Sequence, residues 1–117
     1  MNILIVNDSG FEQTVMENTV KELGYHAKSC DEYSAVNFVK KERPDIVLVN
    51  LHMKETCGDF MIEKLKNIHQ QGKFVLTSSS QDKLADKKEL SAVDEILTTP
   101  ADGTEIKKLI ETLKNDN

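Results

Sequence analysis

The chain has 117 residues, 38% of them hydrophobic and 30% charged, a balance that fits one globular domain and excludes a disordered or fibrous sequence. No unbroken apolar run is longer than Ile46–Val49, so no segment spans a bilayer, and no basic residue precedes the short apolar stretch Ile3–Val6, so no signal peptide is expected. A net charge of −5 with Lys and Glu interspersed excludes a nucleic-acid footprint, and two cysteines, Cys30 and Cys57, with no CxxC spacing exclude a disulfide framework and point to reduced thiols in the cytoplasm.

Asn2–Val6 opens the chain as a short β-branched and aliphatic strand. Residues 11–23 then set Phe11, Val15, Met16, Val20 and Leu23 on one broad helical face, and Gly24 follows as a stop. Tyr25–Cys30 is a weaker strand. Residues 32–42 carry Ala35, Val36, Phe38 and Val39 at helical spacing, with Asp31 as N-cap and Pro44 just beyond the end. Ile46–Val49 is a second continuous apolar run, and residues 59–70 form a helix through Met61, Ile62, Leu65 and Ile68 that Gly72 ends. Phe74–Leu76 is the third run. The segment 81–91 has only Leu84, Ala85 and Leu90 among its charges, so its helix is thinly anchored. Glu95–Thr98 is a weak strand. Residues 103–114 give the clearest helix, with Ile106, Leu109, Ile110 and Leu113 at i, i+3, i+4 and i+7.

Continuous runs, as opposed to alternation, indicate strands buried on both faces, as in a parallel sheet. Strand and helix alternate through the chain with short connections, and right-handed crossovers then give an α/β domain, a doubly wound parallel sheet with helices on both faces. One domain over 1–117, with its core at about 2–114, accounts for the whole chain. In such sheets the functional crevice lies outside the C-terminal ends of the strands. That rule selects Asn7 and Asp8, then Asn50, Leu51 and His52, then Thr77 and Ser78, then Thr99 and Pro100. Taken singly, each is also what a solvated strand end carries.

Together they carry more. The text ILIVNDSGF…ELGY, RPDIVLVNLHM…GD, FVLTSS and VDEILTTP resembles the receiver domain of two-component response regulators, the CheY-like family, over about residues 2–114. The resemblance implies a flavodoxin-like (βα)5 sheet in the order 2-1-3-4-5. It also implies phosphoryl transfer from a histidine kinase to an aspartate at the end of the third strand. In the family, two acidic residues after the first strand hold Mg²⁺, a Thr or Ser after the fourth bonds the phosphoryl group, and a Lys before the fifth-strand Pro pairs with it. A carboxylate nucleophile needs those cations to neutralise charge developing on the transferred group.

This chain departs from that pattern where charge matters most. The phosphoacceptor position is Asn50, an uncharged amide. The acidic pair is Asn7-Asp8, the Lys position is Thr99, and the switch aromatic on the fifth strand is Ile96; Asp8, Thr77 and Pro100 match. As a metal ligand Asp8 is weak, because one carboxylate with two amides serves Mg²⁺ poorly, and no other cofactor is expected. Asp8 can equally cap the loop or helix after the first strand. His52 reads as a solvated loop residue, His26 and His69 as surface residues, and Cys57 as an inert thiol. The Thr99–Pro100 bond is expected to be cis by resemblance to the receivers' Lys-Pro bond.

The expectation is a non-enzymatic pseudo-receiver that takes no phosphate. It should act through a protein partner on the face of the fourth helix, fifth strand and fifth helix, and could pair with a second copy there. No output domain is expected after residue 114, so any output should pass through that partner. Two alternatives are a phosphotransfer-competent receiver whose acceptor Asp was engineered to Asn50, and a flavodoxin-like small-ligand binder. The second lacks a Ser/Thr/Gly-rich phosphate loop after the first strand.

Overall fold

The apolar runs form the centre of a parallel five-stranded sheet with strand order β2-β1-β3-β4-β5. The computed structural model describes residues 1–115. Its strands are β1 Asn2–Val6, β2 His26–Cys30, β3 Ile46–Asn50, β4 Lys73–Ser78 and β5 Glu95–Thr98. The helices between and after them are α1 Gly10–Glu22, α2 Ala35–Glu42, α3 Gly58–Ile68, α4 Gln81–Ala85 and α5 Gly103–Asn115. The three strands with continuous apolar sequence are the interior ones, buried at nearly every position, whereas β2 and β5 are the half-exposed edges.

Strand alternation divides the core into two layers. Leu4, Val6, Val47, Val49, Phe74 and Leu76 face α2, α3 and α4. Ile3, Ile5, Ile46, Leu48 and Val75 face α1 and α5, where Ile106, Leu109, Ile110 and Leu113 supply the stripe expected from the sequence. All five strands run the same way, so their C-terminal ends, and every candidate site residue, collect along one edge.

Three helices are shorter than their sequence pattern predicts. α2 begins at Ala35, three residues after the expected start, because Asp31 Oδ1 accepts from both Tyr33 N and Ser34 N (3.0 Å each) and holds residues 32–34 in a turn. α4 stops at Ala85, where residues expected to stay helical to 91 form turns, closed by Lys87 N→Leu84 O (2.9 Å) and Leu90 N→Lys87 O (3.1 Å). Leu84 is the one buried side chain of α4. α3 ends at Ile68, where the sequence pattern runs to residue 70.

His69 corrects the surface reading. It is buried, with Nε2 2.7 Å from the Pro44 carbonyl oxygen, and Gly72 lies so close to its ring that a Cβ there would sit 2.6 Å from it.

Gly58, the first residue of α3, lies against the end of β3. A Cβ at Gly58 would sit 2.2 Å from the Asn50 carbonyl oxygen and 2.9 Å from Leu51 Cα, while Gly58 N donates to Leu51 O (2.7 Å). The obstruction is backbone on both sides, so it cannot move aside as a flexible side chain could. Gly58→Ala is therefore expected to lower unfolding free energy by about 1–3 kcal/mol, measured by urea denaturation, while Gly10→Ala, with open space around its Cα, should change little.

Candidate functional site

Sheet register brings the predicted residues together. Asn50 ends β3 directly beside Thr77 of β4, and Leu51 N continues the ladder to Thr77 O at 2.7 Å. On the other side Val6 pairs with Val49, which puts Asn7 and Asn50 at neighbouring strand ends. Thr99 follows β5, its N–H bonded to Ser78 O at 2.9 Å, and the Thr99–Pro100 bond is cis as expected. Asn7 and Thr77 are buried; Asp8, Asn50 and Thr99 are half-buried. Ile96 stands in β5 with its side chain partly buried against the α2–α3–α4 layer.

The two asparagines serve the backbone. Asn50 Nδ2 donates to the His52 carbonyl at 2.8 Å and so closes the start of the β3–α3 loop. Asn7 Oδ1 accepts from Ser9 N at 2.9 Å, and Asn7 O accepts from the Gln13 side-chain amide. Ser9, and not Asp8, caps α1: its Oγ accepts from Glu12 N at 3.2 Å. The expected loop-capping role of Asp8 is realised elsewhere. Its Oδ2 accepts from Lys54 N, in the β3–α3 loop 46 residues along the chain.

Glu32 is the residue beside Asp8 that sequence reading missed. It is only 5% exposed, and it accepts from Thr56 N at 2.8 Å and Glu55 N at 3.2 Å. Three successive N–H groups of the β3–α3 loop are thus held by Asp8 and Glu32. The two carboxyls also face each other, and their proton affinities move in opposite directions. Asp8 is pushed above the usual carboxylate range by burial, which outweighs the Lys54 N–H, and Glu32 beside it adds to the rise. For Glu32, burial pushes upward too, but the Glu55 N–H, the Asp8 carboxyl and the Thr56 N–H outweigh it, and Glu32 falls below its ordinary value. Asp8 Oδ1 is buried with no hydrogen-bond donor. A proton on Asp8 would turn that orphaned acceptor into a donor toward Glu32. The sequence signal for Glu32 was an acid immediately after β2, but without topology nothing separates it from the exposed Asp31.

Other candidates lie apart. His52 and Cys57 are exposed, as expected for loop residues, and make an isolated backbone bridge to each other. Burial and the charge of Asp31 push the half-buried Cys30 thiol up to about 12, which makes it unreactive at neutral pH. Among the described residues no group of three or more His, Cys, Asp or Glu side chains is placed to hold a metal ion.

A family model described as the response regulator receiver domain matches residues 3–111. Among solved structures, the chain is similar to a CheY-like response regulator receiver domain from Methylobacillus flagellatus (TM-score 0.87, 20% identity, 97% of this chain and 98% of that one). It is also similar to the chemotaxis protein CheY4 of Vibrio cholerae (TM-score 0.85, 15% identity, 96% and 97%). A third is the receiver domain of the Pseudomonas aeruginosa sensor histidine kinase PA1611, whose active-site cleft coordinates a magnesium ion (TM-score 0.84, 20% identity, 96% and 95%). No curated protein sequence matches.

The carboxyl pair predicts opposite effects of two isosteric changes. Asp8 binds its proton more tightly folded than unfolded, so the folded state loses stability as pH rises through the folded-state pKa of Asp8. Asp8→Asn keeps an acceptor for Lys54 N and gains a donor for Glu32. It should raise Tm at pH 7–8, with the gain shrinking toward its unfolded value of 3.8. Glu32 is depressed, so its contribution is present above its unfolded value of 4.5 and is lost as pH falls through its folded value. Glu32→Gln should lower Tm at pH 7, on the order of 5 °C for two lost charge-assisted hydrogen bonds. Melting curves of both variants from pH 3 to 8 check the signs.

Proposed function

The chain belongs to the response regulator receiver domain family of two-component systems, and we propose that in this member the pocket accepts no phosphoryl group and that signalling runs through protein contacts alone. The observation that carries the reading is Asn50. It occupies the end of β3 where the family places its acceptor carboxylate, and its amide is engaged with the His52 carbonyl at 2.8 Å. An amide nitrogen with its lone pair delocalised is no nucleophile. Thr99, beside Pro100, offers a hydroxyl where a cation would be needed. With neither nucleophile nor cation, the transition state of phosphoryl transfer finds nothing to form its bond or neutralise its charge.

The Mg²⁺ that the family implies does not fit this donor set. Asp8 Oδ2 is committed to Lys54 N, and Glu32 is committed to Glu55 N and Thr56 N. The remaining Asp8 oxygen, Oδ1, is buried with no hydrogen-bond donor, and it is the one carboxylate oxygen of the pair left over for an ion. Mg²⁺ wants one or two carboxylates in near-ideal octahedral array, and here three of the four carboxylate oxygens are engaged by loop N–H groups.

The partner surface is the α4–β5–α5 face. α4 is a short helix held by Leu84, and the turns after it leave Leu90 42% exposed. Lys87 bonds Asp59 of α3 at 2.9 Å, and Lys88 reaches Glu95 at 3.7 Å, so two cross-element ion pairs, with few apolar contacts, position this segment. Ile96 keeps this face aliphatic where the family has its switch aromatic. The output reads a surface set by packing, and no described helix is long and apolar enough to cross a membrane.

Incubation with phosphoramidate and Mg²⁺ followed by intact-mass measurement should show no hydroxylamine-labile addition; one phosphoryl group gained would overturn the proposal. Asn50→Asp alone should remain nearly inert. The triple variant Asn7→Asp, Asn50→Asp, Thr99→Lys, which rebuilds the charge set around Thr77, should become measurably phosphorylated because the roles are cooperative.

A further inference from the structure

Between α4 and β5 the chain is held to the rest of the molecule at few points. Leu84 and Val93 are buried, and between them every residue from Ala85 to Ser91 is exposed except Lys87. The backbone bonds of this span are local: Lys87 N donates to Leu84 O, Leu90 N to Lys87 O, and Val93 N to Leu90 O. Beyond the span Asp94 is fixed, its Oδ2 accepting from Phe74 N at 2.8 Å and from Lys66 Nζ at 3.0 Å. Lys88 lies 3.7 Å from Glu95, but its side chain is 61% exposed, so that contact contributes little. The one firm attachment is Lys87 Nζ to Asp59 Oδ2 at 2.9 Å.

Asp59 is the one charged residue among the buried residues of α3, which are otherwise Gly58, Met61, Ile62 and Leu65. Its side chain is 8% exposed, and its Oδ1 is buried with no donor among the described residues. A buried carboxylate with one oxygen unmet carries a desolvation cost that a single ion pair offsets only in part. Swinging Lys87 away would let water reach both Asp59 oxygens and the ammonium. It would also give up little apolar burial, because the rest of the span is already exposed. One ion pair therefore sets the balance between a closed and an open arrangement.

We infer that residues 85–91 form a strap with one latch, the Lys87–Asp59 pair, and that releasing this latch opens the strap between hinges at Leu84 and Val93 while the sheet stays folded. The strap joins α4 to β5, so its two states present different α4–β5–α5 surfaces, and a partner that binds one of them better shifts the balance toward it. That regulatory use rests on the proposed reading of the face as the partner surface.

The test is native-state hydrogen exchange of the full chain by ¹⁵N–¹H NMR, with and without low urea. In the parent, the Lys87, Leu90 and Val93 amides should exchange through a local opening that urea does not accelerate. Leu48 and Leu76 in the sheet should exchange through an opening that urea does accelerate. Lys87→Met strands the Asp59 carboxylate, so protection at Leu90 and Val93 should fall at least tenfold, which is about 1.4 kcal/mol, while Leu48 and Leu76 fall far less. Adding Asp59→Leu makes both partners apolar and should restore the lost protection. Unchanged exchange in Lys87→Met, an equal fall across the sheet, or no recovery in the double variant would overturn the inference. If Lys87→Met does not fold, the urea dependence of the parent decides alone, and strap amides that exchange only together with the sheet would overturn it. Phosphoryl uptake by the parent would instead sink the proposed function and leave the strap's exchange as it is, so the two failures are distinguishable.

Discussion

A strand in the middle of a parallel sheet is covered by helices on both faces, so its side chains are apolar except at its ends. β1, β3 and β4 obey that constraint, with Leu4, Val6, Val47, Val49, Phe74 and Leu76 on one side and Ile3, Ile5, Ile46, Leu48 and Val75 on the other. Much else follows. Helices must lie on both faces, crossovers must be right-handed, and the C-terminal ends of all five strands share one edge. Polar residues can appear only where a strand leaves that sandwich. Asn7, Asp8, Asn50, Thr77 and Thr99 are gathered by the same force that keeps polar groups out of the sheet.

The residues that left the family pattern form a consistent set. Removing a carboxylate at position 50 and a cation at position 99 together avoids burying either charge unpaired. The carboxyl that remains, Asp8, is bonded to the loop backbone at Lys54 N. With Glu32 it fastens the β3–α3 loop through three consecutive N–H groups. Asn50 Nδ2 closes the same loop from its other end through the His52 carbonyl. In the proposed reading this pocket serves as a structural clasp, and Gly58 is pressed closely against the end of β3.

The interior of this fold was legible because its signal is local and redundant. Four consecutive aliphatic residues at 3–6 and at 46–49 admit few readings, and the α5 stripe repeats over the length of its helix. The site positions were legible through topology, since strand ends can be counted before any contact is known. The errors fall where one residue's role depends on another far along the chain. Glu32 is a buried clamp because of Glu55 and Thr56, and His69 is buried because of Pro44 and Gly72. Asp31 caps a turn in place of a helix start, and α4 stops at Ala85 because only Leu84 reaches the core. Helical spacing in 81–91 could not reveal how few of its apolar residues would find a partner.

The central claim is that the end of β3 offers no nucleophile to a phosphoryl group. Beryllofluoride mimics a phosphoryl group bound to a carboxylate, and it reads the pocket without depending on a kinase or a donor's rate. A ¹⁵N–¹H spectrum of the chain with Mg²⁺, beryllium and fluoride should superimpose on the spectrum without them at Asn7, Asn50, Thr77 and Thr99. A second, slowly exchanging set of resonances at those positions would show a formed acyl-phosphate mimic and contradict the account.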